Sequence, residues 1–182
     1  MNRSTPSRPR LLWSVVAVFA VVLLAGTTAA GAAVNVKSTP TASFSGATVT
    51  VSSGNFSGLG NTPAFAELTV TGLATYECQN PQGHASPGQN PVQAAPGTSG
   101  PVDLGNSDHN GRGTISGISA SVQAPTTPSA QAVGCGGTGN TKWTVVLTGL
   151  TATAARLVVT QGGETLFCWD YTVTGPATGT PC

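Results

Sequence analysis

Beyond residue 42 the apolar positions recur every second residue rather than every third or fourth, which is the period of a strand and not of a helix. Residues 65–78 show it best. Leu68, Val70, Gly72, Ala74, Tyr76 and Cys78 fall on one face, and Glu67, Thr69, Thr71, Thr75 and Glu77 on the other. This predicts a long half-buried strand whose cysteine points to the core. Residues 43–53 alternate through Phe44, Ala47, Val49 and Val51, and residues 114–122 through Ile118, Ala120 and Val122, so each predicts a further strand. A short edge strand is expected at 101–104, and no helical period is found after residue 33.

Residues 142–173 carry the strongest signal and are expected to nucleate the sheet. Two β-branched runs flank the pair Gly162, Gly163. Both central positions of a type I′ turn need positive φ, which glycine reaches without a Cβ clash, so a tight hairpin is predicted. In the simplest register Thr160 faces Thr165, Val158 faces Phe167, Arg156 faces Trp169 and Ala154 faces Tyr171, all on one side. Leu157, Val159, Leu166 and Cys168 then take the other side. Both sides are partly apolar, so the pattern leaves the buried side open.

Between the strands lie loops. Residues 79–101 hold five Pro and four Gly with little apolar content, which predicts a long surface excursion of the functional or mobile kind. Residues 124–140 form a second long loop, residues 34–42 a flexible leader, and residues 175–182 a tail held only if Cys182 ties it down. Six or seven short strands between Gly, Pro and Asn turns predict an all-β fold. The class is an antiparallel immunoglobulin-like β-sandwich of about seven strands with two disulfides, spanning residues 43–174. The Cys-Trp-Cys spacing of true immunoglobulin domains is absent, because Trp143 follows Cys135.

The first 33 residues read differently. Arg3, Arg8 and Arg10 precede an apolar run at 11–25 and a small-residue stretch at 26–33, the order of a Sec signal peptide. Ala30-Gly31-Ala32 offers a cleavage site, so the mature chain is expected to begin at Ala33 or Val34. Thr27 stands where a lipidated cysteine would be needed, and no twin-arginine pair or apolar C-terminal tail is present. The expected product is secreted, with no membrane attachment after cleavage. It keeps 149 of the 182 residues, enough for one core. Its four cations (Lys37, Arg112, Lys142, Arg156) against six acids leave a net charge of −2. Four scattered cations predict no basic patch, which argues against nucleic-acid binding.

All four cysteines, Cys78, Cys135, Cys168 and Cys182, fall in this exported part, which predicts two disulfides with three possible connectivities. The preferred one joins Cys78 to Cys135 and Cys168 to Cys182. A zinc site is not expected, since there is no Cys-x-x-Cys pair and His84 and His109 lie in separate loops. No metal or other cofactor is predicted.

Candidate chemistry is sparse. Asp103, Asp108 and His109, with Glu77 or His84 nearby, make the one group resembling acid/base equipment, and on Gly/Asn loops they read as solvated turn residues. Asp103, Asn106 and Asp108 do not have the spacing of a Ca²⁺ loop, and there is no Gly-x-Ser-x-Gly elbow. The chain is therefore not expected to be an enzyme. The sharper idea is a stacking platform for sugar rings or another small ligand, built from Arg156, Trp169 and Tyr171 on one hairpin face. The competing placement puts Phe167, Trp169 and Tyr171 in the core with Arg156 at its edge.

The string TVTGLATYECQNPQGHASPGQNP at residues 69–91, then Cys135 shortly before Trp143-Thr144, then Gln161-Gly162-Gly163, resembles a group of small exported proteins common in actinobacteria. The Cys-x-Asn-Pro-x-Gly start and the Pro-Gly-Gln-Asn-Pro end carry most of the likeness. The resemblance implies a bond between Cys78 and Cys135, with Cys168 and Cys182 as additions, and it implies no function. The expected role is that of a secreted, non-catalytic binding or structural module with an extracellular or cell-surface partner. The alternative is a glycan or small-ligand binder using the aromatic hairpin face.

Overall fold

The computed structural model describes residues 34–88, 91–104, 111–135 and 142–182. Among the described residues every regular element is a strand: β1 (Asn35–Ser38), β2 (Thr41–Ser45), β3 (Thr48–Ser52), β4 (Gly54–Ser57), β5 (Ala64–Gln79), β6 (Ala85–Pro87), β7 (Val92–Gln93), β8 (Gly97–Thr98), β9 (Val102–Asp103), β10 (Gly113–Ile115), β11 (Ile118–Ser121), β12 (Thr144–Gln161), β13 (Glu164–Thr172) and β14 (Thr180–Pro181). All their pairings are antiparallel.

The long ladder between β5 and β12 is the backbone of the fold. It runs from the pair Gln79, Thr144 to the pair Ala64, Gln161. Along β5 every even-numbered residue from Ala64 to Cys78 is buried, and none of the odd-numbered ones is. The face predicted from the alternation is thus the core face. β13 and then β14 extend the sheet beyond β12, while β6, β7, β8 and β9 all pair with the opposite edge of β5.

Three of these strands, β6, β7 and β8, correct the reading of residues 79–101 as a surface excursion, while β9 is the short edge strand expected at 101–104. The segment doubles back along almost the whole of β5, from the pair Gln79, Ala85 to the pair Phe65, Asp103. The gaps are bridged by Gly88 N–H donating to the Tyr76 carbonyl, Ala94 to Gly72, Ser99 to Leu68 and Leu104 to Ala64. Main-chain hydrogen bonds hold it there, and they require no apolar side-chain pattern.

Gly97 marks the tightest point of this return. A Cβ there would lie 1.7 Å from the Ser121 carbonyl oxygen, a backbone atom that cannot swing aside. Gly97→Ala is therefore expected to push β8 off β11 and to cost about 2 kcal/mol, read as a lower urea midpoint. An unchanged midpoint would show that the close approach is not real.

The N-terminal strands form two three-stranded sheets, β1-β4-β10 and β11-β3-β2. The chain steps from one to the other three times, at 38–41, at Ser53 (φ 58°) and near Gly117 (φ 99°), so three kinked strands run through both. Residues 34–42 are thus no loose leader, since β1 pairs with β4 and β2 with β3. The single strand expected at 43–53 is a hairpin through Gly46. The tail at 175–182 is held three ways: Thr180 and Pro181 pair with β13, Ala177 accepts from Ala42 N–H at 2.8 Å, and Cys182 bonds to Cys168.

One apolar cluster joins these sheets. Val49, Val51, Phe56, Ile115 and Ile118 meet Leu68, Val70, Leu157, Val159 and Trp169 in it. Phe56 stacks on Phe167 with ring centroids 5.5 Å apart. Cys78–Cys135 and Cys168–Cys182 are the two disulfides, the preferred pairing of the three.

Candidate functional site

The hairpin turn is where the sequence places it, with positive φ at both Gly162 (60°) and Gly163 (88°) and with Thr160 opposite Thr165. One residue further the expected register fails. Val159 pairs with Phe167, so Leu166 is an extra residue on β13, a bulge that turns every later side chain to the other face. Arg156 consequently pairs with Asp170, Leu157 with Trp169 and Ala155 with Tyr171.

This register separates the proposed platform of Arg156, Trp169 and Tyr171. Trp169 is 5 % exposed and Tyr171 1 %, both in the core, with Trp169 packed against Phe56 and Phe167. Arg156 stands on the outer face, where its Nε and Nη2 donate to the two oxygens of Asp170 at 2.7 and 2.8 Å. That hydrogen bond, assisted by the opposite charge, holds the Asp170 carboxyl below its usual range. The pair is solvated, with side chains 57 % and 39 % exposed, and such pairs add little to stability. It borders a shallow depression of about 500 Å³ floored by Thr69, Thr71, Ala154 and Thr172.

Tyr171 has a structural task. Its hydroxyl donates to the Pro40 carbonyl at 3.3 Å, tying β13 to the link between β1 and β2. Burial pushes this phenol well above its ordinary value near 10. The folded state keeps the proton at a pH where the unfolded chain has lost it. The stabilisation is thus complete below about pH 10 and declines as pH rises past it. Tyr171→Phe is expected to lose about 1 kcal/mol at neutral pH and to show a shallower alkaline decline in melting experiments. Identical alkaline slopes in the two proteins would contradict this assignment.

The remaining aromatic candidate is Trp143, half-buried at the start of the β5/β12 ladder. With Lys142 and the turn residues Asn80, Pro81 and Gln82 it lines a depression of about 250 Å³. Asn80 Oδ1 accepts from the Gln82 and His84 amides at 3.0 and 2.8 Å, which fixes this turn beside the ring. The sequence signal for the site is the Cys-x-Asn-Pro-x-Gly turn, whose partner Trp143 lies more than sixty residues on.

Among the described acid/base candidates, Asp103 lies far from Glu77 and His84. Glu77 pairs with Pro87 near the end of β5, and His84 is exposed in the turn beyond it. Asp103 pairs with Phe65 at the start of β5, roughly 40 Å away at ~3.4 Å per residue. Asn106, Asp108 and His109 lie outside the described residues. Among the described residues no three of His, Cys, Asp and Glu are grouped to hold a metal.

The cations are less scattered than their spacing implies. Lys37 and Arg112, 75 positions apart, line one depression of about 450 Å³ on the outer side of the β1-β4-β10 sheet. Compared with known proteins, the chain matches no family model, no curated protein and no solved structure.

Proposed function

We propose that the chain is exported through residues 1–33 and works outside the cell or at its surface as a non-catalytic binding or structural module. In this reading the sheets form a β-sandwich of immunoglobulin-like shape. The observation that carries it is the pair of disulfides. Cys78–Cys135 closes 57 positions of chain and Cys168–Cys182 secures the last residue to β13. Such bonds persist in oxidising compartments and are rare where thiols are kept reduced.

The test is to express the full chain in an exporting host, recover it from medium and cells, and determine its N-terminus and thiol content. The reading expects protein in the medium, starting at Ala33 or Val34, with no free thiol. Uncleaved protein retained in the cytoplasm with four free thiols would overturn it.

A second reading, a glycan-binding module, has its own observation in Trp143. A half-open indole beside Asn80, Gln82 and Lys142 joins an apolar plane for a sugar ring to donors and acceptors for its hydroxyls. Titration with neutral oligosaccharides is expected to shift tryptophan emission in the wild type and to leave Trp143→Ala unchanged. Emission indifferent to every oligosaccharide tried would remove this reading and leave the first one standing.

A further inference from the structure

β12 has 18 residues and β13 only 9. β13 pairs with β12 between Ala154 and Gln161 and then turns away, with Val173 N–H donating to the Thr153 carbonyl. β5 accompanies β12 to its other end, so residues 144–150 have a neighbouring strand on one side.

The main-chain direction of this stretch follows from β5. The carbonyls of Leu68, Gly72 and Tyr76 accept from the return segment, so the even-numbered residues of β5 turn their backbone groups away from β12. Residues opposite each other in an antiparallel pair both point into the shared ladder or both point out of it. Val145, Leu147 and Leu150, opposite Cys78, Tyr76 and Ala74, therefore turn their N–H and C=O groups outward. Ala152, opposite Gly72, does the same, and its N–H donates to the Gly46 carbonyl at 2.8 Å. Among the described residues no strand meets the outward groups of Val145, Leu147 and Leu150.

Proteins that leave such an edge to water blunt it with charge or proline. Residues 144–150, TVVLTGL, contain neither. Val146, opposite Glu77 on the outer face, is 42 % exposed, and Leu147, opposite Tyr76 on the core face, is 38 % exposed. The other edges of this sheet are treated differently: the return segment lines β5, and β14, tied down by Cys168–Cys182, pairs with β13.

We infer that residues 144–148 are a self-association surface, on which β12 of a second copy adds antiparallel across a two-fold axis at Val146. Outward main-chain donors and acceptors call for an extended backbone, and an uncharged edge has nothing to select a charged peptide. The strand suits itself. With Val146 opposite its own copy, Val145 lies opposite Leu147 of the second copy, two such pairs close four main-chain hydrogen bonds, and no like charges meet. One added strand covers Val146 on one face and Leu147 on the other. Thr148, the extra residue in the register against β5, bends the edge and limits the run to five residues, about 17 Å at ~3.4 Å per residue. So small an interface makes a weak dimer. The surface is independent of the export and sugar-binding readings.

The test is sedimentation velocity of the oxidised protein across a concentration series, with amide hydrogen exchange at both ends of it. The expected result is a monomer when dilute and a dimer at about 0.1 mM. The Val145 and Leu147 amides should slow as the dimer forms, and the Val146 amide, already directed at β5, should not change. Val146→Lys sets a gatekeeping charge opposite Glu77 and is expected to weaken the dimer at least about tenfold while the melting temperature stays put. Val146→Cys is expected to cross-link two copies, because a non-hydrogen-bonded pair brings its Cα atoms to about 4.5 Å, within reach of a disulfide. A monomer at every concentration would overturn the proposal, and protected Val145 and Leu147 amides in that monomer would show the edge covered by the chain itself. A dimer that Val146→Lys leaves intact would overturn it as well, by placing the contact elsewhere.

Discussion

Replacing both Cys78 and Cys135 with alanine is expected to lower the unfolding free energy by about 4 kcal/mol, the larger of the two disulfide effects. The bond closes a loop of 57 positions, and in the chain-entropy account the loss grows with the logarithm of that length. The corresponding figure for Cys168–Cys182, with 14 positions, is about 3 kcal/mol. The first bond also joins two buried residues, 4 % and 2 % exposed, at the end of β5, so its removal frees the loop before Cys135 from the longest ladder in the protein. Marginal stabilities of roughly 5–15 kcal/mol are usual, so this change takes a large share of the total. Urea unfolding of the oxidised double variant reads it directly. A midpoint within error of the wild type would mean that the bond merely decorates a self-sufficient core.

Trp169→Ala is the second large effect, also about 4 kcal/mol. The indole lies 6.1 Å from Phe56 and 5.7 Å from Phe167, centroid to centroid, and its β12 neighbour is Leu157. Removing it leaves a cavity at the junction of the sheets, which the surrounding strands are too tied together to fill. Trp169→Phe keeps most of the volume and is expected to lose less than half as much. A stable Trp169→Ala protein that has lost ligand binding would instead place the ring on the surface.

The parts of this fold that were legible in the sequence share one property: the local pattern and the final environment agree. β5 reads correctly because one face is fully buried and the other is mostly threonine and glutamate, with Phe65 and Leu73 as the apolar exceptions, so a slipped register would expose the whole buried set. The hairpin turn reads correctly because Gly162 and Gly163 are the chemistry that its φ angles demand. The aromatic face was not legible, since both sides of the hairpin carry apolar residues and one bulge residue, Leu166, decides which set turns inward.

Other features left no local trace at all. Most of the return along β5 consists of strands two or three residues long, joined by main-chain hydrogen bonds, so composition alone makes 79–100 look like loop. β1 is polar and exposed, with no alternation to announce it. Lys37 and Arg112 line one depression only because β4 pairs with β1 on one side and β10 on the other, a topological fact no spacing encodes.

The claim on which the rest depends is that the Leu166 bulge turns Trp169 into the core, whereas Trp143 is half-buried and open to solvent on one side. Acrylamide quenching of two single-tryptophan proteins tests it, with Trp13 and one of the other two tryptophans replaced by phenylalanine in each. The structure predicts weak quenching and blue-shifted emission when only Trp169 remains, and stronger quenching when only Trp143 remains. Strong quenching of Trp169 with a shielded Trp143 would contradict the register, and with it the placement of every residue on this hairpin.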